Sequence, residues 1–279
     1  MSRIISGATM VAAVAGRPID HTLSPLIHNT WIEAAGLDAV YIALSPPEAA
    51  FTACVEGLRG GVLRGLNVTA PFKETALALA DQATARARAA GAANLIILSP
   101  GGPILADNTD GEGLLDAFAR QTPGFDPAAG PVLLLGAGGA VRGAAAAFLA
   151  AGAPQVRILN RTPARARPLN ALFGERLLIY DPRDEIAALQ GAQAIINATP
   201  TSPTIALDAA SPDLVVMDMA YRPIRTPFLE RAAALGLRTV DGLEMLIGQA
   251  RPAFEALFET PVPDVDVRAQ VLSVLGLAA

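Results

Sequence analysis

The stretch Asn67-Val-Thr-Ala-Pro-Phe-Lys73 contains the only lysine of the chain. The other members of a set of 21 Lys and Arg residues are all Arg. An ammonium group can give up and regain a proton, whereas a guanidinium group effectively cannot. Lys73 therefore offers a proton donor, and the alternative is a surface lysine retained by chance.

Two further polar clusters lie in the first half of the chain, His21-Thr-Leu-Ser-Pro25 and Asp107-Asn-Thr-Asp110-Gly. Their hydroxyl, amide and carboxyl groups suit a small polyhydroxylated ligand. Asp110 offers Lys73 a nearby carboxylate if the fold brings the two together. For the first cluster the alternative is a helix N-cap, because Ser or Thr is common at a helix start that is followed by Pro. For the second cluster the alternative is a polar turn.

The glycine-rich stretch VLLLGAGGAVRGAAAAFLAAGA predicts a strand, a turn and a helix, with glycines at positions 136, 138 and 139. The first glycine permits the tight turn, and the next ones let backbone N–H groups approach a pyrophosphate at the helix N-terminus. Val141 stands where the usual third glycine would be. We predict dinucleotide binding, and a glycine turn without a ligand is the alternative.

The next predicted strand ends in Asn160-Arg161-Thr162, and Arg165 follows shortly after. At this distance beyond the glycine turn, an NAD enzyme carries Asp or Glu to bind the ribose 2′-hydroxyl. No acidic residue is present here, and two guanidinium groups with a hydroxyl suit a 2′-phosphate. The sequence therefore favours NADP, with an ordinary solvated basic loop as the alternative.

Short apolar runs alternate with Ala- and Leu-rich helical stretches, which predicts an α/β protein with parallel sheets covered on both faces. The predicted strands are MVAAVAG, AVYIAL, GLNVT, AANLIIL, GPVLLLG, QVRILN, RLLIY, AQAIINAT, LVVMDM and LRTVDG. A stretch rich in Pro and Gly before the glycine turn marks a domain boundary. Residues 1–110 are one predicted domain, residues 111–243 are a nucleotide-binding domain, and the helical tail 244–279 is expected to pack back on the first.

Composition argues against several functional classes. The net charge of −5 and the pI near 5.1 disfavour a nucleic-acid binder, and no apolar run is long enough for a transmembrane helix. His21 and His28 have no Cys or His neighbours at metal-ligand spacing, so no metal site is predicted. Cys54 cannot form an intrachain disulfide, because it is the single cysteine; it is expected to be a small buried side chain and fits a cytoplasmic location.

Nine motifs, in order, closely resemble the shikimate dehydrogenase family across nearly the whole chain: TLSP, NVTAPFK, GAANL, DNTDG, GAGGA, NRT, INATP, DMAYRP and DGLEMLIGQA. The resemblance implies an N-terminal α/β substrate domain with a mainly parallel sheet, a C-terminal NADP-binding Rossmann domain and an active site in the cleft between them. It also implies reversible reduction of 3-dehydroshikimate to shikimate with NADPH, in the pathway to chorismate and the aromatic amino acids.

The resemblance assigns roles to individual residues. The catalytic acid–base pair falls on Lys73 and Asp110. The substrate contacts fall on Thr22, Ser24, Thr69, Asn94, Tyr221 and Gln249. The cofactor contacts fall on Gly136, Ala137, Gly138, Gly139, Ala140, Asn160, Arg161, Thr162, Arg165, Thr199, Met219 and Gly242. A packed aromatic is the alternative for Tyr221, and an exposed helix amide is the alternative for Gln249.

The chain departs from the family pattern at several positions without losing Lys73 or Asp110. The departures are Thr22 for Ser, Leu95 for Thr, Ala85 for Glu, Thr201-Ser202-Pro203 for Leu-Gly-Met and Glu244 for Gly. They leave open a quinate/shikimate dehydrogenase of broader substrate or cofactor range. A non-catalytic NADP-binding sensor is a second alternative, which the retained Lys73 and Asp110 disfavour. We expect a small-molecule substrate and neither a nucleic-acid nor a membrane partner; a homodimer is one option for the assembly.

Overall fold

The computed structural model describes residues 5–277 of the chain. Its internal contacts divide the chain into two compact units. The first unit comprises Met1–Thr109 and Gln249–Ala279, and the second comprises Asp110–Gly248. Both are α/β structures, and the second is continuous in sequence whereas the first is assembled from two segments.

The first unit begins with alternating strands and helices. The strands are β1 (Met10–Ala15), β2 (Ala39–Leu44), β3 (Leu63–Val68), β4 (Gln82–Ala83), β5 (Leu95–Leu98) and β6 (Ile104–Asp107). The helices are α1 (Ser24–Ala34), α2 (Phe51–Leu58), α3 (Lys73–Ala78) and α4 (Ala85–Ala90). Strands β4 and β6 are absent from the set predicted by sequence, because they are short and β6 runs directly into a polar segment.

The strands of the first unit form a six-stranded sheet in the order β2-β1-β3-β5-β6-β4. Strand β1 pairs in parallel with β2 and β3, and β4 pairs in parallel with β6. Strand β5 runs antiparallel to both of its neighbours. The sheet is mainly parallel, as predicted, and the polar segments after β1 and β3 therefore leave it at the same edge.

The apolar core of the first unit packs α2 and the segment before α3 against the sheet. Phe51 and Phe72 stack there with ring centroids 4.4 Å apart. The prediction that Cys54 is buried is wrong, since this side chain is half-buried. Phe51 and Val55, one helical turn apart, occupy the inward face of α2 and leave Cys54 at its margin.

The second unit repeats a strand and helix pattern with short connections. Its strands are β7 (Val132–Leu135), β8 (Val156–Leu159), β9 (Leu177–Tyr180), β10 (Ala194–Asn197), β11 (Val215–Asp218) and β12 (Arg238–Asp241). Its helices are α5 (Asp110–Gln121), α6 (Gly139–Ala150), α7 (Arg167–Phe173), α8 (Glu185–Leu189) and α9 (Pro227–Ala234). Short 3₁₀ turns include Pro163–Arg165 after β8 and Leu207–Ala209 after β10.

The sheet of the second unit has the strand order β12-β11-β10-β7-β8-β9, and every pair is parallel. This is the strand order of the Rossmann fold, with its switch point between β7 and β10. Along β7, Val132 and Leu134 face one apolar core while Leu133 and Leu135 face the other. Burial on both sides explains why these strands are continuous apolar runs in the sequence.

The carboxyl ends of the central strands lie level with one another. Leu135 pairs with Asn197, Asn197 with Asp218, and Asp218 with Asp241 in the parallel register. Three polar side chains therefore form a row at the edge of the sheet where ligands bind in doubly wound folds.

Two further helices, α10 (Gly242–Phe258) and α11 (Val267–Val274), complete the described chain. Residues 244–248, which the sequence analysis grouped with the first domain, have their contacts in the second unit. The physical reason is that Met245 packs into the apolar core of that unit. Within residues 5–277, no helix combines the length and the apolar character needed to cross a bilayer, and the same residues contain no cluster of His, Cys, Asp or Glu suited to a metal ion.

Candidate active site

The loop after β1 lies against the loop after β3 in the first unit. The backbone N–H of Thr69 donates to the carbonyl of Ala15 over 2.9 Å. A Cβ atom at Gly16 would collide with the side chain of Thr69, so the two loops are in close contact. This contact places the segment that leads into α1 beside the loop that carries Thr69 and ends at Lys73.

Thr22 and Ser24 lie where that segment enters α1. The Thr22 Oγ1 atom accepts a hydrogen bond of 3.3 Å from the Ser24 N–H, and the two hydroxyl oxygens are 3.3 Å apart. The N-cap position of α1 is Leu23, and no side chain caps from that position. A capping role therefore fits the Thr22 hydroxyl, which receives the N–H of the first helical residue, but does not account for the buried hydroxyl of Ser24.

Lys73 is the first residue of α3, and its backbone connects it to the next predicted site residue. The carbonyl of Lys73 accepts a 2.9 Å hydrogen bond from the N–H of Ala93, the neighbour of Asn94. The carbonyl of Asn94 in turn accepts a 2.7 Å hydrogen bond from Val68, the neighbour of Thr69. Thr69, Lys73 and Asn94 are thus brought together at one edge of the first sheet.

A buried amide network fixes the side chain of Asn94. Its Nδ2 atom donates to Thr109 Oγ1 over 3.0 Å and to Gln249 Oε1 over 3.2 Å. Its Oδ1 atom accepts from the N–H of Thr109 over 2.8 Å, and the Thr109 hydroxyl lies 2.9 Å from the carbonyl of Gln249. Gln249 is buried, so the alternative of an exposed helix amide is wrong.

The network continues to Asn67 and Tyr41, to which the sequence analysis gave no site role. The Tyr41 hydroxyl donates to Asn67 Oδ1 over 2.7 Å, and the amide of Asn67 approaches the carbonyl of Asn94 at 3.4 Å. Burial raises the pKa of Tyr41 well above its usual value, so its hydroxyl remains a donor. The motif around Lys73 contains Asn67, but only the fold reveals that its side chain supports Asn94.

A charged cluster holds the segment that precedes Asp110. Arg86 contacts both carboxylate oxygens of Asp107, at 2.7 and 2.5 Å. Thr84 donates to the same carboxylate over 2.6 Å, as does the N–H of Asn108 over 2.7 Å. Burial alone would raise the pKa of Asp107, but these hydrogen bonds and the charge of Arg86 outweigh it and lower the pKa. Ala85 replaces the Glu that is usual in the family at this position. Its neighbours Thr84 and Arg86 nevertheless both donate hydrogen bonds to Asp107.

Asp110 is the first residue of α5 and belongs to the second unit, whereas Lys73 belongs to the first. Residues 107–110 are all buried, so an exposed polar turn does not describe this segment. An acidic side chain in the first turn of a helix faces the positive end of the helix dipole. Asp110 is therefore a buried acidic residue that directly follows Thr109 of the Asn94 network along the chain.

The glycine turn predicted to bind a pyrophosphate lies between β7 and α6 in the second unit. Gly136 has φ +113°, a backbone conformation that favours glycine. A Cβ atom at Gly136 would also lie 3.2 Å from the side chain of Thr199. Gly138 is the N-cap of α6 and no side chain caps this helix, while a Cβ at Gly138 would meet nothing within 4 Å. The 12-residue helix thus begins without a side-chain cap and with open space beside Gly138.

The end of β8 presents the basic residues predicted to bind a 2′-phosphate. Asn160 Nδ2 donates to the carbonyl of Thr162 over 2.7 Å and so closes the turn after the strand. Arg161, Thr162 and Arg165 are exposed on this turn. Their guanidinium and hydroxyl groups are accessible beside the glycine turn, because β8 is the direct neighbour of β7.

The remaining predicted cofactor residues follow β10, β11 and β12. Thr199 is half-buried, and its hydroxyl lies 2.7 Å from Asn197 Oδ1. Met219 is half-buried after β11 and packs on the apolar core. A Cβ at Gly242 would collide with the carbonyl of Met219 and lie 2.6 Å from that of Ala220, so a glycine is required for backbone packing at the start of α10. Tyr221 follows on the same loop and is half-buried.

The hydrogen-bond donors and positive charges of the second unit fit an NADP molecule. The open N-terminus of α6 suits a pyrophosphate, and exposed Arg161 and Arg165 suit a 2′-phosphate. In a sheet of this order, a dinucleotide extends across the switch point, from the loop after β8 towards the loops after β10 and β11. The residues predicted to contact the two ends of the cofactor therefore lie on opposite sides of β7.

Comparison with known protein families gives matches in both units. The model of the shikimate dehydrogenase substrate binding domain matches residues 14–96. The model of the shikimate / quinate 5-dehydrogenase family matches residues 120–220. Each match falls within one unit.

Individual relatives resemble the whole chain. A shikimate dehydrogenase (NADP(+)) of Caulobacter vibrioides (strain NA1000 / CB15N) is 53% identical over 283 residues, covering 99% of each chain. The crystal structure of shikimate 5-dehydrogenase from Thermus thermophilus, in complex with NADP(H) and shikimate, is 33% identical with a TM-score of 0.83 and covers 95% of this chain and 99% of that one.

A quinate dehydrogenase from Corynebacterium glutamicum, in complex with NAD, has a similar fold. It is 27% identical, has a TM-score of 0.85, and covers 96% of this chain and 99% of that one. The relative from Caulobacter is far more similar in sequence and equally complete in its coverage. Two matching family models and this full-length identity lead to one conclusion: the chain belongs to the shikimate dehydrogenase family.

Proposed function

We propose that this chain catalyses the reversible reduction of 3-dehydroshikimate to shikimate with NADPH, in the pathway to chorismate and the aromatic amino acids. The observation that carries the proposal is the position of Lys73. The only lysine of the chain begins α3 and is joined by one backbone hydrogen bond to the segment that carries the buried Asn94 network. Membership of the shikimate dehydrogenase family supports the same activity.

Lys73 is the proposed proton donor of the reaction. A bound NADPH supplies the hydride that is added to the ring carbonyl carbon. Lys73 gives its ammonium proton to the oxygen that becomes an alkoxide, and it accepts the proton back in the oxidation of shikimate. Asp110 is the proposed carboxylate partner that orients this proton transfer, a role that the family resemblance implies.

Hydroxyl and amide groups are proposed to bind the substrate. Thr22 and Ser24 donate to its carboxylate in place of an arginine. Thr69, Asn94 and Gln249 are proposed to contact the ring hydroxyls, and Tyr221 is the proposed substrate contact from the second unit. Asn94 and Gln249 are already hydrogen-bonded to each other, which reduces the entropy lost when they orient a ligand.

The proposed cofactor site uses three loops of the second unit. The turn Gly136–Ala140 would hold the pyrophosphate. The turn after β8, with Asn160, Arg161, Thr162 and Arg165, would hold the 2′-phosphate. Thr199, Met219 and Gly242 are proposed to contact the nicotinamide end.

The proposal is tested by oxidising shikimate with NADP⁺ and following the near-ultraviolet absorbance of NADPH. We expect strong activity with shikimate and NADP⁺ that is lost in Lys73→Ala. Tight NADPH binding by the wild type without any turnover would contradict the enzymatic role and favour an NADP sensor.

A quinate/shikimate dehydrogenase of broader range is the second candidate. The fold of the quinate dehydrogenase from Corynebacterium glutamicum resembles this chain over nearly its full length, and Thr22 departs from the usual serine. Parallel assays with quinate and with NAD⁺ decide between the two, since activity with either would favour the broader range. The absence of an acidic residue at Asn160–Thr162 favours the NADP enzyme.

The cellular setting is part of the same proposal. We place the protein in the cytoplasm, because a chain with one cysteine needs no oxidising compartment. Its proposed partner is a small-molecule substrate, and a homodimer is to be tested by light scattering. We likewise propose that residues 1–110 and 244–279 bind the substrate and that residues 111–243 bind NADP.

A further inference from the structure

Asp218, the first residue of the DMAYRP motif, received no role in the sequence analysis and lies at the carboxyl edge of the second sheet, one strand in from the edge strand β12. Asp218 is the last residue of β11 and is only 1% exposed. Its Oδ1 atom accepts from Asn197 Nδ2 and from the N–H of Ala220, each over 3.1 Å. Its Oδ2 atom accepts from the hydroxyl of Thr226 over 2.7 Å. A buried acid at the end of a Rossmann strand is thus used entirely to bind other parts of the protein.

The contact with Asn197 extends to the loop after β10. Asn197 Oδ1 lies 3.0 Å from the N–H of Thr199 and 2.7 Å from its hydroxyl. Asn197 Nδ2 also donates to the carbonyl of Thr201 over 3.2 Å. Asp218 therefore binds the amide that in turn binds the Thr199 loop.

The contact with Ala220 fixes the loop after β11. Ala220 lies between Met219 and Tyr221, and its N–H is held by the carboxylate two residues earlier. The N–H of Met219 donates to the carbonyl of Asn197 over 2.9 Å, so this loop and the Thr199 loop are tied at two points. Asp218 therefore contacts both the loop after β11 and the residue, Asn197, that binds the loop after β10.

The strand order shows which end of a dinucleotide these loops would meet. The loop after β8, with exposed Arg161 and Arg165, lies on one side of β7, and β10 and β11 lie on the other. A cofactor whose 2′-phosphate is at β8 and whose pyrophosphate is at the glycine turn places its nicotinamide beyond β10. We infer that Asp218 is a positioning residue for the nicotinamide end of the cofactor site, acting through the Thr199 and Met219 loops; this inference rests on the proposed function.

The experiment uses the full-length Asp218→Ala variant and tests binding at the two ends of the cofactor site separately. 2′,5′-ADP carries only the part that binds at the glycine turn and at β8, and its dissociation constant can be measured by calorimetry. We expect that constant to stay within about twofold of wild type, while kcat/KM for NADPH falls about 10- to 100-fold, because small displacements of a reacting group have effects of this size. Equal weakening of 2′,5′-ADP binding, or an unchanged kcat/KM, would overturn the inference.

Two matched variants complete the test. Asp218→Asn keeps an acceptor oxygen for Asn197 and Ala220 and can donate to Thr226, so we expect it to recover most of the kcat/KM for NADPH. Thr226→Val removes the α9 cap and one contact of Asp218 but leaves both loop contacts, so we expect unfolding at lower temperature with kcat/KM within about threefold of wild type. Failure of Asp218→Asn to recover activity, or a loss in Thr226→Val equal to that in Asp218→Ala, would contradict a positioning role.

If the proposed function is wrong, the experimental results differ from those that would overturn the inference about Asp218. A wild type that binds NADPH but does not turn over shikimate would refute the proposed reaction. The inference would still be tested by the ratio of NADPH to 2′,5′-ADP affinity, which we expect to fall at least about tenfold in Asp218→Ala, because only NADPH reaches the loops after β10 and β11.

Discussion

Substitution of Lys73 tests the contribution of proton transfer separately from that of cofactor binding. We expect Lys73→Ala to lower kcat by about 10²- to 10⁴-fold, the usual contribution of general acid–base catalysis, with little change in NADPH affinity. Steady-state kinetics with shikimate and fluorescence titration with NADPH measure the two quantities. Lys73→Arg is the matched control: it keeps the charge but cannot release a proton, so it should not restore kcat. An active arginine variant would assign Lys73 to electrostatic binding.

His28 determines part of the stability at acid pH. The ring is fully buried and stacks on Tyr41 with ring centroids 4.0 Å apart. Neither ring nitrogen has a hydrogen-bond partner among the described residues. Burial lowers the pKa of His28 from 6.5 to about 3. The unfolded chain therefore takes up this proton below pH 6.5, whereas the folded chain does so only near pH 3, and the folded state loses stability across that interval.

We predict that replacing His28 changes how steeply the free energy of unfolding depends on pH. Between pH 6.5 and about pH 5, His28 should remove about 2 kcal/mol from the free energy of unfolding. His28→Phe should lose correspondingly less over that interval, as measured by urea titration at each pH. The exposed His21 provides the control, because its replacement changes no buried group. The same pH dependence in His28→Phe and wild type would show that other groups are responsible.

At the scale of the elements, the turn after β8 should set the preference between the two nicotinamide cofactors. We expect Arg161→Ala to reduce kcat/KM for NADPH by about 10- to 100-fold, since a charge-assisted hydrogen bond contributes about 1.5–3 kcal/mol. The low activity with NADH should be unchanged, because NADH has no 2′-phosphate. Arg167→Ala is the control, as this exposed arginine begins α7 and is not a predicted contact. Equal losses with both cofactors would contradict a 2′-phosphate site.

The elements also show where sequence patterns are sufficient. The apolar runs predict the second sheet well, because its strands β7, β10 and β11 are buried on both faces and lie between helices. The run LIIL of β5 is equally apolar, yet β5 is antiparallel to its neighbours. A buried strand has the same composition in either direction, so the pattern cannot reveal its orientation.

The candidate site was predictable to the extent that it is local in sequence. The glycine turn, the arginines after β8 and Lys73 are recognised from short motifs, since the chemistry requires those residue types at those spacings. The contacts of Tyr41 and Asp218 were not predicted, although Asp218 begins the DMAYRP motif, because they join strands that are distant in sequence. The burial of Gln249 likewise depends on Asn94 and Thr109, more than a hundred residues earlier in the chain.

For the whole molecule, the two units should differ in their ability to fold alone. We expect a fragment of residues 110–248 to fold and bind 2′,5′-ADP, because its sheet and both of its apolar cores are contained in one segment. A fragment of residues 1–109 should remain unfolded, since it lacks Phe254, which packs against Trp31 at 5.6 Å. Dispersion in nuclear magnetic resonance spectra distinguishes the outcomes. A folded 1–109 fragment would show that the C-terminal segment is dispensable for the first unit.

The first unit consists of two segments that are distant in the chain, and this has a consequence for its biosynthesis. Residues 1–109 leave the ribosome before the segment that completes their core has been made, and that segment begins only at Gln249. The whole second unit is synthesised in the interval. The half of the protein that is translated first is therefore the last to reach its native state, and its apolar surface stays uncovered for longer during translation than that of the second unit.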